Sequence, residues 1–299
     1  MLHCCLCNVV FLDVLSFDKV IGIIGDCRRL LWSEGFLDVT TKLRTLGMTF
    51  ISAMRVKLVP DPARVDNTMW SESVLKSISG LQLTSAGSRF DRSEDLKFYM
   101  QLGHCGLSSF ETCGLVLVPT TTSTPANTKL HLAYEFTIFW VYLDRNTRKV
   151  SPLPDWFVES HVREAQKIRP RSSRVALRRD SLTSSMVHQN SDVITKSITV
   201  SSNMIDQHLH TNYSQYSALV ADVMRDSDVR RFSGLPFDEL ELRFFAESRL
   251  ADELRATVAL PSASNRNFTA QVAKKNEVLM VMRLNMPDDD RIMHVKSKI

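Results

Sequence analysis

The chain has 299 residues, of which 44% are hydrophobic and 23% charged, and its formal net charge is +4. This hydrophobic content is enough for one large core or two modest ones. The ten glycines and ten prolines are too few for a low-complexity or fibrous protein. We therefore expect a soluble globular chain.

The positive charge is concentrated in residues 161–180, which contain seven Arg or Lys residues and only two acidic ones. A nucleic-acid interface would usually combine a wider basic face with aromatic side chains, and this window contains no Phe, Tyr or Trp. We therefore expect no nucleic-acid partner. Residues 169–190, rich in Arg and Ser, are typical of a basic linker.

The cysteines and the apolar start of the chain bear on its location. The chain has six cysteines: Cys4, Cys5, Cys7, Cys27, Cys105 and Cys113. Their spacing does not repeat. Reduced thiols in a cytosol-like compartment fit better than a disulfide framework. The first 24 residues are apolar, but Asp13, Asp18 and Lys19 interrupt them, so we expect no membrane span. The predicted location is cytoplasmic, with organellar targeting left open.

The first half of the chain has the pattern of a helix followed by strands. Apolar residues at helical spacing predict helix over residues 27–46, with Gly35 as a break between two short helices. Residues 51–59 alternate, which places Met54, Val56 and Leu58 on one face of a strand.

Further strands are predicted downstream in the same half, at 69–78, 82–90, 109–119 and 130–143. The polar segment 91–106, with a short helical pattern, is interpreted as an insert, and residues 144–147 as a turn. A short exit helix is predicted at 152–166.

The second half repeats this order. A strand is predicted over 192–201 and a helix over 213–225, with Tyr216, Leu219, Val220, Val223 and Met224 on its apolar side. Four more strands follow, at 240–245, 253–260, 268–274 and 278–285. Two copies of one unit are the simplest account. The predicted units are 1–168, with its insert at about 91–106, and 191–286, joined by the linker 169–190 and followed by a tail at 287–299.

The densest polar cluster of the chain lies in residues 203–216, just before the second predicted helix. It holds Asp206, His208, His210 and Asn212. An acid with imidazoles and an amide is suited to acid–base chemistry. Two other interpretations remain open. An Asp before a helix is commonly its N-cap, and Asp206, His208 and His210 would face one way on a strand and hold a metal.

This cluster resembles the active-site turn of the hotdog-fold 4-hydroxybenzoyl-CoA thioesterase and acyl-ACP thioesterase families. The family turn reads D-x-N-x-H-V-N-N-x-x-Y, and this chain reads D-Q-H-L-H-T-N-Y-S-Q-Y from Asp206 to Tyr216. A second stretch, L-R-F-F-A-E-S from Leu242 to Ser248, is similar to the strand L-x-Y-x-x-E-C of plant-type acyl-ACP thioesterases. It places Glu247 at the third catalytic position of the family.

The resemblance implies an α+β chain with two tandem hotdog domains, each an antiparallel sheet wrapped around a central helix. The first domain would be degenerate, because it lacks a D-x-x-x-H turn before its helix, and the second would carry the site. Asp206, His210 and Glu247 would be catalytic, while His208, Asn212 and Tyr213 would bind substrate or the oxyanion. No metal or organic cofactor is implied.

The implied activity is hydrolysis of fatty acyl-CoA or acyl-ACP, by a monomer that mimics the hotdog dimer or by a homodimer. Three positions depart from the family pattern: His208 replaces Asn, Tyr213 replaces the second Asn, and Ser248 replaces Cys. These departures favour the alternative of an inactive hotdog protein that binds acyl chains or a protein partner. A hotdog dehydratase is a less favoured alternative, because its site would need a His in one half matched by an acid in the other.

Overall fold

The structure is a computed structural model that describes residues 4–5, 17–33, 35–59, 97–119, 131–162, 193–206, 209–226, 237–259 and 267–286. The predicted strands at 69–78 and 82–90, the linker 169–190, the tail 287–299 and His208 lie outside these residues. The described strands are β1 (Cys4–Cys5), β2 (Gly47–Val59), β3 (Lys97–Cys105), β4 (Ser109–Pro119), β5 (His131–Asp144), β6 (Val193–Thr199), β7 (Glu239–Phe244), β8 (Glu253–Ala259), β9 (Asn267–Lys274) and β10 (Glu277–Asn285).

These strands form one sheet in the order β1-β3-β4-β5-β2-β7-β10-β9-β8-β6. All of the pairings are antiparallel. The two halves of the chain meet where β2 pairs with β7, from Ala53 opposite Arg243 to Lys57 opposite Glu239. The sheets of the two units are therefore joined edge to edge, as expected for tandem hotdog domains.

Two longer helices lie against this sheet: the first central helix, Phe17–Ser33, and the second central helix, Tyr213–Arg225. They contact each other and share one hydrophobic core with the inward side chains of the strands. The second helix has the predicted bounds, and its predicted apolar face is buried. Short helical turns cover Phe36–Leu46 and Asp155–Val162. Gly35, with φ of 92°, separates the first helix from the turns that follow it, as predicted.

The prediction for the first helix was wrong at its start, because the helix begins at Phe17 and not near residue 27. Val20, Ile21 and Ile24 are buried at helical spacing, so the apolar run before residue 27 belongs to this core helix. Among the described residues, no helix combines the length and the hydropathy that crossing a bilayer requires.

The interpretation of residues 91–106 as an insert with a helical pattern was also wrong for its described part. Lys97–Cys105 form β3, which pairs with β4 and carries a register irregularity between Leu102 and Cys105. Phe98 and Met100 point into the core, and Phe98 stacks on Phe136 with ring centroids 5.2 Å apart. Burial of these side chains against the sheet outweighs the polar character of the flanking sequence.

The other described strands follow the alternation in the sequence. In β2, Met54, Val56 and Leu58 are buried on one face, as predicted. β4 has the predicted bounds of residues 109–119, and β5 to β10 agree with prediction within one or two residues at each end. The local period of apolar residues therefore determines most of this sheet.

Candidate functional site

The predicted active-site turn is a tight loop between β6 and the second central helix. A bridge between Ile205 and Thr211 closes it. The backbone N–H of Asp206 donates to the carbonyl of His210 at 2.8 Å, and Asp206 Oδ1 accepts the N–H of His210 at 3.3 Å. Leu209 adopts a left-handed φ of 62°, which turns the chain sharply between the two. The loop therefore fixes Asp206 and His210 beside each other.

The residue that caps the second central helix is Asn212, not Asp206. Asn212 Oδ1 accepts the backbone N–H of Ser214 at 3.2 Å, and its carbonyl accepts the N–H of Gln215 at 2.9 Å. The N-cap interpretation of Asp206 is therefore wrong. Asn212 thus caps this helix and does not line the cavity described below.

The metal interpretation required Asp206, His208 and His210 to face one way along a strand. Asp206 and His210 lie instead on the turn, and His208 is outside the described residues. Across the part of the chain that the structure describes, no group of three or more His, Cys, Asp or Glu side chains could hold a metal ion. The strand geometry behind that interpretation is therefore not found.

Glu247 lies in the segment that follows β7, and the neighbouring Ser248 fastens this segment to the turn. The fully buried Ser248 donates from Oγ to Thr211 Oγ1 at 2.7 Å, and its carbonyl accepts the N–H of Thr211 at 2.9 Å. Its Oγ lies 2.9 Å from the Tyr216 hydroxyl, which also accepts the Ser248 N–H at 3.0 Å. This network holds Glu247 against the turn that carries Asp206 and His210.

Ser248, the residue that replaces Cys in the family pattern, therefore fastens this segment to the turn and has a structural role. We expect Ser248→Ala to lower the free energy of unfolding by about 1–3 kcal/mol, because Thr211 and Tyr216 lose a buried partner. Chemical unfolding measures the loss. An unchanged free energy of unfolding would contradict this assignment.

A cavity of about 450 Å³ lies at the junction of the two halves, and both halves form its walls. The first half contributes Arg28, Trp32, Met48, Ile51, Trp140 and Arg145. The second half contributes Asp206, His210, Tyr213, Tyr216, Phe244 and Glu247. The three predicted catalytic side chains thus converge on one cavity, with His210 Nε2 only 3.5 Å from Glu247 Oε2.

Arg148, which the sequence did not indicate, reaches this cluster from the first half of the chain. One guanidinium nitrogen lies 3.2 Å from His210 Nε2, and another forms an ion pair with Glu247 Oε2. Because a guanidinium only donates, His210 Nε2 accepts this contact in the tautomer that carries its proton on Nδ1. Arg148 also offsets the negative charge of Glu247.

The turn that presents Arg148 is the one predicted at 144–147. Asp144 Oδ1 accepts the N–H and the hydroxyl of Thr147 at 2.7 and 2.8 Å, and these bonds lower the pKa of Asp144. Arg148 follows with a left-handed φ of 55°. Local spacing predicts this turn, but nothing local shows that its next residue contacts the other half.

Tyr213 lies at the start of the second helix, and its ring lines the cavity. Its hydroxyl touches the first helix so closely that a Cβ on Gly25 would be 2.6 Å from the oxygen. Burial raises the pKa of Tyr213, and the positive charge of Arg28 beside it acts in the opposite direction. The predicted substrate-binding position of Tyr213 is thus compatible with the structure, although its hydroxyl faces the first half.

Comparison with known proteins adds to this geometry. No protein-family model matches the sequence, and no curated protein matches it. Among solved structures, a protein from Lactobacillus plantarum described as an oleoyl thioesterase is similar over 92% of this chain and 91% of its own, with a TM-score of 0.61 and 12% identity.

Two further structures are similar over nearly the whole chain. The 12:0-ACP thioesterase from Umbellularia californica has a TM-score of 0.58 and 14% identity, with 95% of each chain covered. An acyl-ACP thioesterase from Bacteroides thetaiotaomicron has a TM-score of 0.57 and 14% identity, with 93% of this chain and 92% of the other covered. The chain therefore has the tandem hotdog fold, which it shares with these three proteins.

Proposed function

We propose that this protein hydrolyses acyl thioesters of coenzyme A or of an acyl carrier protein, releasing the free acid. The observation that carries the proposal is the convergence of Asp206, His210 and Glu247 on one cavity between the two halves. The three similar structures, all described as thioesterases, support the same reaction.

The geometry suits attack of water on the thioester carbonyl. Asp206 is the base that takes the proton of the water, or the nucleophile, and His210 orients the thioester or the water. Glu247, held by Arg148, positions a water beside His210. With Asp206 as the base, the C–S bond then breaks, and the thiolate leaves with the proton that the base had taken. With Asp206 as the nucleophile, its attack expels the thiolate and forms a mixed anhydride; water hydrolyses the anhydride to the free acid and Asp206, and the thiolate takes the proton released.

The developing oxyanion needs hydrogen-bond donors, and the start of the second helix was expected to supply them. Asn212 already occupies the N–H groups of Ser214 and Gln215. The N–H of Tyr213, the first residue of this helix, is not taken by the Asn212 cap. We therefore assign the oxyanion to this N–H.

The first test is hydrolysis by the full chain of a series from acetyl-CoA to palmitoyl-CoA and of matched acyl carrier proteins, followed by thiol release. We expect turnover, and we expect Glu247→Gln to lower kcat/KM by about 10²-fold through misplacement of the water. Glu253→Gln, at an exposed position of β8, is the matched control. No turnover by wild type at high protein concentration, or full activity of Glu247→Gln, would reject the proposal.

The domain boundaries, location and assembly belong to the same proposal. We assign the first unit to 1–168 and the second, which carries the site, to 191–286. The free thiols of Cys27, Cys105 and Cys113 support a reducing compartment such as the cytoplasm. The joined sheet of two units supports a monomer that resembles a hotdog dimer, and a dimer of such chains is compatible with it.

A further inference from the structure

Arg28 is a buried cation in the wall of the cavity that the hydrolysis mechanism does not use. It lies on the first central helix, and only 7% of its surface is exposed. Arg28 lines the same cavity as Asp206 and His210. The neighbouring Arg29 is exposed and pairs with Asp26, so the burial of Arg28 is specific to its side of the helix.

Aromatic rings surround this guanidinium. Its central carbon lies 4.4 Å from the centroid of Trp32, 5.2 Å from that of Trp140 and 5.5 Å from that of Tyr213. Such cation–π contacts stabilise the charge without using its N–H donors. Within the described residues, Arg28 Nε has no hydrogen-bond acceptor. The Tyr213 hydroxyl is the hydrogen-bonding group beside the guanidinium.

The charged groups around the cavity do not balance. The cationic residues that line it are Arg28 and Arg145, and the anionic ones are Asp206 and Glu247. Glu247 already pairs with Arg148. Burial lowers the pKa of Arg28, and Tyr213 and, more weakly, Asp206 act against this effect. With Arg148 counted, three guanidinium groups stand against two carboxylates around the cavity, so a net charge of +1 remains.

This arrangement is poorly suited to the methyl end of a saturated chain, which would bury the guanidinium further and accept none of its hydrogen bonds. A carboxylate would complete the site, since a guanidinium binds it with two parallel hydrogen bonds. We propose that Arg28 binds a carboxylate carried by the acyl group, so that the preferred substrate is the thioester of a dicarboxylic acid. This inference rests on the proposed thioesterase function and names its substrate class.

The experiment compares thioesters of equal carbon number that differ only at the far end: butyryl with succinyl-CoA, hexanoyl with adipoyl-CoA, and octanoyl with suberoyl-CoA. At the best length, wild type should prefer the carboxylated substrate by about tenfold or more in kcat/KM, as expected for a charged hydrogen bond. Arg28→Met should abolish or reverse this preference, whereas Arg29→Met should keep it. The inference would be overturned if wild type preferred the uncarboxylated substrate to the same extent as Arg28→Met does.

Binding of the free acids separates this inference from the proposed activity. Suberate should raise the unfolding midpoint of wild type and of Asp206→Asn more than octanoate does, and Arg28→Met should lose this difference. That result without any thioester turnover would reject the hydrolase and keep the carboxylate site. If the protein hydrolyses thioesters but dicarboxylates raise the unfolding midpoint of neither wild type nor Asp206→Asn, the hydrolase is kept and the carboxylate site is rejected. If Arg28→Met does not fold, Arg28→Lys replaces it, with dicarboxylate binding weakened about tenfold.

Discussion

Replacement of Asp206 by asparagine is expected to lower kcat/KM for acyl-CoA hydrolysis by about 10²–10⁴-fold, the usual contribution of a positioned general base. The amide oxygen of asparagine can still accept the N–H of His210, a bond that Asp206 Oδ1 makes at 3.3 Å. The turn should therefore persist while the base is lost. Thiol release under subsaturating substrate measures the change.

The matched control for this substitution is Asp222→Asn on the second central helix, where the side chain is 46% exposed and pairs with Arg225. It should retain nearly all activity. An unchanged unfolding midpoint of Asp206→Asn would show that the lost activity is chemical and not structural. If the two variants hydrolysed acyl-CoA equally well, Asp206 would have no catalytic role.

The second large effect is expected from Gly114→Ala, which should lower the free energy of unfolding by about 1–3 kcal/mol or more through overpacking. Gly114 on β4 lies opposite Phe136 on β5. A Cβ at this position would lie 1.7 Å from Phe136 Cζ, inside a ring that itself stacks on Phe98. Chemical unfolding measures the loss.

Two variants make this test specific. Gly22→Ala lies on the first central helix with nothing within 4 Å of the added Cβ, so alanine there should be neutral or stabilising. Gly114→Ala combined with Phe136→Leu should recover part of the lost stability, because the smaller side chain makes room. No recovery in the double variant would show that the ring is not the obstacle.

The elements that the sequence predicted well are those whose apolar residues keep one period. The second central helix and strands β4 to β10 are of this kind, since the helix buries one apolar face and the strands follow an apolar run or an alternation in their sequence. The first ten residues of the first central helix were missed because Asp18 and Lys19 interrupt the apolar run. In the structure Lys19 is exposed, and the Asp18 side chain pairs with Arg225 of the second helix. A contact so distant in sequence cannot be predicted from local spacing.

The candidate site likewise has residues that the sequence predicts and residues that it does not. Asp206, His210 and Glu247 follow from short motifs that lie within the second half, and the structure brings them to one cavity. Arg28 and Arg148 come from the first half, which was expected to be degenerate and not to carry the site. Their role depends on the pairing of β2 with β7, which places the wall of one unit against the turn of the other.

The pairing of β2 with β7 also has a consequence for how such a chain can diverge. The acids and the imidazole are encoded after residue 200, whereas Arg28, Trp32 and Trp140 are encoded in the first half. Substitutions in the first half can therefore alter which molecule is accepted while the reacting groups stay in place. In a chain with two units, substitutions in one unit can change the substrate while the other unit keeps the reacting groups. In a symmetric dimer of one gene product, every substitution changes both subunits.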